Sequence, residues 1–126
     1  MSNRSELRKN LMIALYQYLL LGKGYLSLKE ILKNHSKLKS SEFVQVIVYG
    51  IMRHESDFIT KIDQQLQDWT FDRLGKIEQA ILLMAYSEIC ADINEKAVVI
   101  NEAVNLAKEF CEEDSYKIIN ATLDKL

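Results

Sequence analysis

The chain has 126 residues, 48% of them hydrophobic, and carries 16 Lys and Arg against 18 Asp and Glu for a net charge of -2. That size and apolar content suit one domain around one core, and the absence of proline, with only four glycines, leaves long stretches free of helix breakers. Cys90 and Cys111 lie far apart without a CxxC or Cys/His cluster, which argues against a zinc site or a disulfide framework and makes a reduced, cytoplasmic setting the expectation.

In chain order, periodicity predicts a first helix over about Ser5 to Leu21, with Leu7, Leu11, Ala14, Tyr18 and Leu21 inward and Gly22 as its stop. The apolar run Leu11 to Leu21 follows a basic start, as in a signal peptide. Tyr16, Gln17 and Tyr18 interrupt it, and it is far short of the roughly 20 residues that cross a bilayer, so a buried helix is expected and no membrane role. Ser27-Leu28-Lys29-Glu30 has the form of a capping box, predicting a short helix through Lys33, then a basic loop from Asn34 to Ser40. Glu42 to Trp69 contains no breaker but Gly50 and reads as one long helix, or two with a bend near His54 to Ser56.

Thr70 to Gly75 interrupts the pattern. Lys76 to Cys90 then carries seven successive apolar residues, Ala80 to Tyr86, within a segment too long and too rich in Ala, Leu and Met for a buried strand, so it is read as the central core helix. Past a link at Asp92 to Glu95, Ile100, Ala103, Val104, Ala107 and Phe110 form the apolar stripe of a further helix. After the polar turn Cys111 to Asp114, Ile119, Thr122, Leu123 and Leu126 repeat the pattern, with Asp114 or Ser115 as cap. The expectation is an all-α bundle of six or seven helices.

No catalytic arrangement emerges, and neither a metal nor a cofactor is expected. His54-Glu55 opens like a zinc-protease motif but lacks the second histidine, and there is no glycine-rich phosphate loop or nucleophile elbow. Glu112, Glu113 and Asp114 read more simply as charges favoured at a helix N-terminus than as an acid/base cluster. The net charge conceals a split: residues 1 to 40 hold eight Lys and Arg against two acids, the remainder eight against sixteen. One end is thus suited to phosphate and the other to a basic partner. Arg4 and Arg8 are neighbours on one helix face, and Lys9 lies in line with Tyr16 one heptad on, an arrangement that can neutralise phosphates and stack an unpaired base. A solvated basic helix end, with Tyr16 half packed in the core, is the alternative.

The wording of the chain goes further than its periodicity. Asn101-Glu102-Ala103-Val104, Leu106-Ala107-Lys108, Glu113-Asp114-Ser115, and Asn120 followed by Leu123-Asp124 resemble the C-terminal signature of the NusB family of transcription antitermination factors. Leu15-Tyr16-Gln17, Gly50, Trp69 before Arg73-Leu74, Ala80-Ile81-Leu82 and Glu88 extend the resemblance over nearly the whole length. It implies one NusB-like RNA-binding helical domain over residues 1 to 126 and no enzyme. It also implies binding of boxA RNA in ribosomal RNA leader transcripts together with the small-subunit ribosomal protein NusE, within an RNA polymerase antitermination complex. By position, Arg4, Arg8 and Tyr16 match the family's N-terminal RNA-binding pattern, with Lys9 added to the expected RNA-binding residues by its spacing from Tyr16; Glu78 and Asp114 fall at positions tied to RNA or partner, and Asp72 and Arg73 in the region facing the ribosomal protein. The plainer readings are a first-turn carboxylate for Glu78 and a loop cap for Asp72.

The chain departs from the family pattern at four places. Ser5 stands where a second consecutive arginine is common, Leu83 where arginine is usual, Asn94 where proline is expected, and Ala121 where glycine follows the asparagine. The first thins the RNA-binding segment and keeps open a protein-interaction module without RNA contact. NusB-like domains also precede the catalytic domain of certain RNA cytosine methyltransferases. No glycine-rich cofactor turn occurs here, so that alternative requires the chain to be a fragment.

Overall fold

The computed structural model describes residues 3–22 and 27–126; Lys23 and Gly24, counted above among the basic residues and the glycines, lie outside them. The described residues form seven α-helices and one 3-10 turn: α1 (Arg4–Leu21), α2 (Leu28–Lys33), α3 (Ser36–Lys39), α4 (Glu42–Gln65), the turn Phe71–Arg73, α5 (Lys76–Ala91), α6 (Lys96–Phe110) and α7 (Ser115–Asp124). Among them there is no strand, and none of the helices is long and apolar enough to cross a membrane.

The architecture follows from α5. Its residues Gln79 to Glu88 are all buried, so it has no solvent face and has to be enclosed on every side. α4, α1, α6 and α7 pack around it, while α2 and α3 lie against α1. The expected all-α bundle with a central helix at Lys76 is therefore present, its helix ending at Ala91 on the left-handed residue Asp92 (φ 55°).

Side-chain caps set the starts of three helices. Asn3 accepts from the amides of Ser5 and Glu6 at the start of α1, Ser27 from Glu30 N in α2, and Ser41 from Val44 N in α4. Gly22 ends α1 at φ 83°, a conformation that costs glycine nothing. Three expectations change. Leu21, placed on the inward stripe, is 51% exposed because α1 ends before another element can cover it. The basic loop Asn34 to Ser40 contains the one-turn helix α3, whose Leu38 is buried and whose backbone carbonyls at Lys37 and Lys39 accept from Ser40 Oγ and Gln45 Nε2. The long segment after Glu42 is one helix, ending at Gln65 rather than Trp69, with its bend at His54 (φ -129°, ψ 17°).

That bend re-aims α4. Phe43, Val44, Ile47, Val48 and Ile51 are buried before it, Phe58 and Ile62 after it, and the intervening turn carries no buried apolar residue. Just past the bend, Tyr18 donates to Glu55 Oε1 at 2.7 Å, fastening α1 to α4; burial, then this hydrogen bond, raises the Tyr18 phenol above its ordinary pKa. Before the bend, Ser87 of α5 donates to Ile47 O at 2.7 Å, where the helices cross beside Gly50. A Cβ at Gly50 would lie 2.4 Å from Ser87 Oγ, so only glycine lets that bond form.

Gly50→Ala is therefore expected to cost about 1–3 kcal/mol of stability by overpacking. Urea denaturation measures it, and Gly50→Ala combined with Ser87→Ala should recover part of the loss.

Candidate nucleic-acid interface

The site starts from the way the Thr70 to Gly75 connection is pinned. Asp63 Oδ1 accepts from Phe71 N at 2.6 Å, and the buried Gln79 amide donates to Phe71 O and Leu74 O at 2.8 and 3.1 Å. Glu78 Oε1 accepts from Gly75 N at 2.8 Å, closing the first turn of α5. The connection is thus held from α4 and from α5, and it presents Trp69, Arg73 and Lys76 beside an open groove of about 720 Å³.

Tyr16 and Leu20 of α1 line the same groove, as do Phe110 at the end of α6 and the turn Cys111 to Ser115. Four residues named from the sequence, Tyr16, Arg73, Glu78 and Asp114, are brought together here from four different elements. Lys9 adjoins them: its ammonium lies 5.4 Å from the centroid of Phe110 and 3.0 Å from Glu109 Oε1, and that carboxylate, through hydrogen bond and charge, raises the lysine's pKa. Lys9, Ile13, Tyr16 and Leu20 follow one another at helical spacing along α1, so the predicted alignment of Lys9 with Tyr16 holds.

The other named residues lie elsewhere. Asp72 accepts from Thr70 Oγ1 at 2.6 Å, which keeps its carboxyl below the ordinary range, and it does not line the groove. Arg4 and Arg8 do share a face, both guanidinium groups lying over the Phe43 ring at 4.6 and 5.1 Å, but that face turns toward α5 and α6. Arg4 is exposed and donates to Asn94 Oδ1 at 3.1 Å.

Arg8 is a correction to the picture of an exposed cationic end. It is 4% exposed; Nε and Nη2 donate to the two oxygens of Glu88 at 2.9 and 2.6 Å, and Nη1 donates to Glu102 Oε1 at 3.2 Å. Glu88 is itself 1% exposed and accepts a further bond from Asn94 Nδ2 at 2.8 Å, while Ser5 Oγ donates to Glu102. The reason is electrostatic: a carboxylate inside the central helix needs a cation, and Arg8 is the one in reach. Asn94 and Ser5, two of the departures from the family pattern, are both used in this cluster.

Chemically, the groove offers three ring systems (Tyr16, Trp69, Phe110), two cations (Arg73, Lys76) and the carboxylates of Glu78, Glu112, Glu113 and Asp114. Rings stack on bases, cations neutralise phosphates, and carboxylates accept from base amino or imino groups. Of the cysteines, Cys111 lies on the groove wall with its thiol pushed up to about 11, mainly by burial, which keeps it protonated and unreactive. Sequence reasoning did not assign Lys76 or Phe110 to the site; each reads as an ordinary helix-end residue until the turns converge. Among the described residues, no group of three or more His, Cys, Asp or Glu could hold a metal.

The described residues thus form an all-α helical bundle with one open groove of that chemistry on its surface. The chain belongs to the NusB family, whose model matches residues 5–126. It is similar to proteins named transcription antitermination protein NusB from Macrococcus caseolyticus, 40% identical over 85 residues (67% of this chain and 65% of that protein), and from Staphylococcus epidermidis, 39% identical over 93 residues (74% and 71%). Among solved structures, T. maritima NusB matches with a TM-score of 0.87 at 26% identity, covering 98% of this chain and 89% of that one. A chain in the crystal structure of a plectonemic RNA supercoil matches with a TM-score of 0.78 at 25% identity, covering 99% and 94%.

Breaking the buried cluster from one side should be costly. Arg8→Ala leaves Glu88 without its charge partner, and chemical denaturation is expected to show a loss of about 3–5 kcal/mol; Arg8→Met with Glu88→Leu should lose less than the single variant.

Proposed function

We propose that the chain is a transcription antitermination factor that binds boxA-containing single-stranded RNA in the groove beside Tyr16, together with the ribosomal protein NusE, as part of an RNA polymerase antitermination complex. It works by binding and not by catalysis. The observation that carries this reading is the convergence of Tyr16, Arg73, Glu78 and Asp114, with Lys9 at the margin, on one groove. The names of the similar proteins agree with it.

The acidic wall of the groove has to be reconciled with an anionic ligand. Bases turned inward meet rings and carboxylates, while the phosphates turn outward toward Arg73, Lys76 and Lys9. Arg4 adds an exposed cation farther along α1, and Arg8 contributes by holding α1 against α5 and α6 so that this stripe keeps its position. By position in the family both Asp72 and Arg73 are expected to face the ribosomal partner; Asp72 is kept for that partner, while Arg73, which lines the groove, is assigned here to the RNA. The carboxylates also favour a second reading, in which the groove takes a basic protein segment and no RNA.

Titration of boxA and scrambled RNA, with and without NusE, separates the two. Under the first reading boxA binds more tightly than the scramble and NusE strengthens it. Tyr16→Ala should weaken boxA binding by about 1–3 kcal/mol per stacked base, and Arg73→Ala should lower the salt slope by about 0.7. Indifference to RNA sequence, to Tyr16 and to NusE would leave only the protein-binding reading.

A further inference from the structure

The positive charge assigned to residues 1 to 40 is not where the first helix suggests. Arg8 is buried against Glu88 and Glu102, and Lys9 is paired with Glu109. Apart from the exposed Arg4, which bonds Asn94, the described cations of this segment without an ion pair are on α2 and α3. Between Ser27 and Ser41 the chain carries Lys29, Lys33, Lys37 and Lys39 against the single acid Glu30. All four lysines are exposed, and none forms an ion pair with a described residue.

We propose that this α2–α3 corner is a second, sequence-independent contact for the backbone of the same RNA, engaging phosphates of nucleotides that extend beyond the groove. The inference rests on the groove reading above and deepens it.

Three observations converge on this assignment. First, helix-end placement does not explain all four lysines. Lys29 and Lys33 sit one turn apart on α2, a like-charge spacing that mildly destabilises a helix, and helix-end placement accounts only for Lys33, Lys37 and Lys39. Second, the corner is built rather than loose: Leu28, Ile31, Leu32 and Leu38 are buried, Ser27 caps α2, and Ser40 and Gln45 bond to the carbonyls of α3. Third, every apolar side chain between Ser27 and Ser41 is in the core. The corner therefore has nothing to insert into a bilayer and no aromatic or aliphatic anchor for a protein partner, leaving charge alone, which is the chemistry of a phosphate backbone.

Position agrees as well. Leu20 lines the groove and α1 ends at Leu21, with Gly22 as its cap; five residue steps from Gly22 reach Ser27, so chain length keeps the start of α2 within about 18 Å of Gly22.

The test uses the full chain and RNAs of one boxA sequence extended stepwise at either end. The wild type should gain affinity and salt slope as the RNA outgrows the groove. Substituting all four lysines with alanine should abolish that gain, leave the shortest RNA bound as before, and lower the slope for the longest RNA by about 0.7 per lysine that reaches a phosphate. Lysine-to-arginine substitution at the four positions should retain the gain. Equal affinity and slope for the lysine variant and the wild type on the longest RNA would overturn the proposal. So would a variant that keeps its RNA affinity but loses binding to vesicles containing phosphatidylserine. If short RNAs fail to bind and Tyr16→Ala changes nothing while long RNAs still depend on the lysines, the groove reading falls and the corner stands. If no RNA binds at any length, both fall.

Discussion

A carboxylate buried near the C-terminal end of the central helix constrains everything around it. Glu88 lies on α5 with 1% of its surface exposed, and an ionised group there is tolerable only with a cation and a full set of hydrogen-bond donors. Arg8 supplies the cation, Asn94 a further donor, and Glu102 takes the remaining arm of the guanidinium. α1, α5 and α6 are thereby locked in rotation about their own axes, and a rotation of α1 that exposed Arg8 would leave Glu88 uncompensated.

The functional surface follows from that lock. With Arg8 turned inward, the stripe Lys9, Ile13, Tyr16 and Leu20 faces outward along α1 and meets the connection before α5 and the turn before α7. Those two segments are fixed by their own bonds, the first by Asp63, Gln79 and Glu78, the second by helix ends at Phe110 and Ser115. A groove assembled from pinned turns loses little conformational freedom when a flexible strand enters it, so the ordering cost on binding falls mainly on the ligand.

Charge is distributed to match. The carboxylates lie on the groove wall, where the bases of the proposed ligand would face the protein; Arg73 and Lys76 line the same groove, Lys9 stands at its margin paired with Glu109, and four lysines are exposed on the α2–α3 corner. A molecule with a net charge of -2 can then hold an anionic polymer, because the field along the path of the strand matters more than the total.

The sequence by itself determined the longer helices, apart from the exact end of α4, and the identity of the core one. The seven-residue apolar run from Ala80 to Tyr86, the Ser27 cap, Gly22 and the stripe of α6 are local signals, carried by spacing within a few residues of each other. The family was legible too, from blocks of wording spread along the chain, and so was the alignment of Lys9 with Tyr16. Which arginine is solvated and which is buried was not legible, since Arg4 and Arg8 look alike until α5 places Glu88 80 residues away beside one of them. The one-turn helix α3 and the exposure of Leu21 escaped for the same reason: each depends on what packs opposite. Only the tertiary structure decided where the free positive charge lies, because pairing between distant residues is a property of distance in space, which residue spacing does not encode.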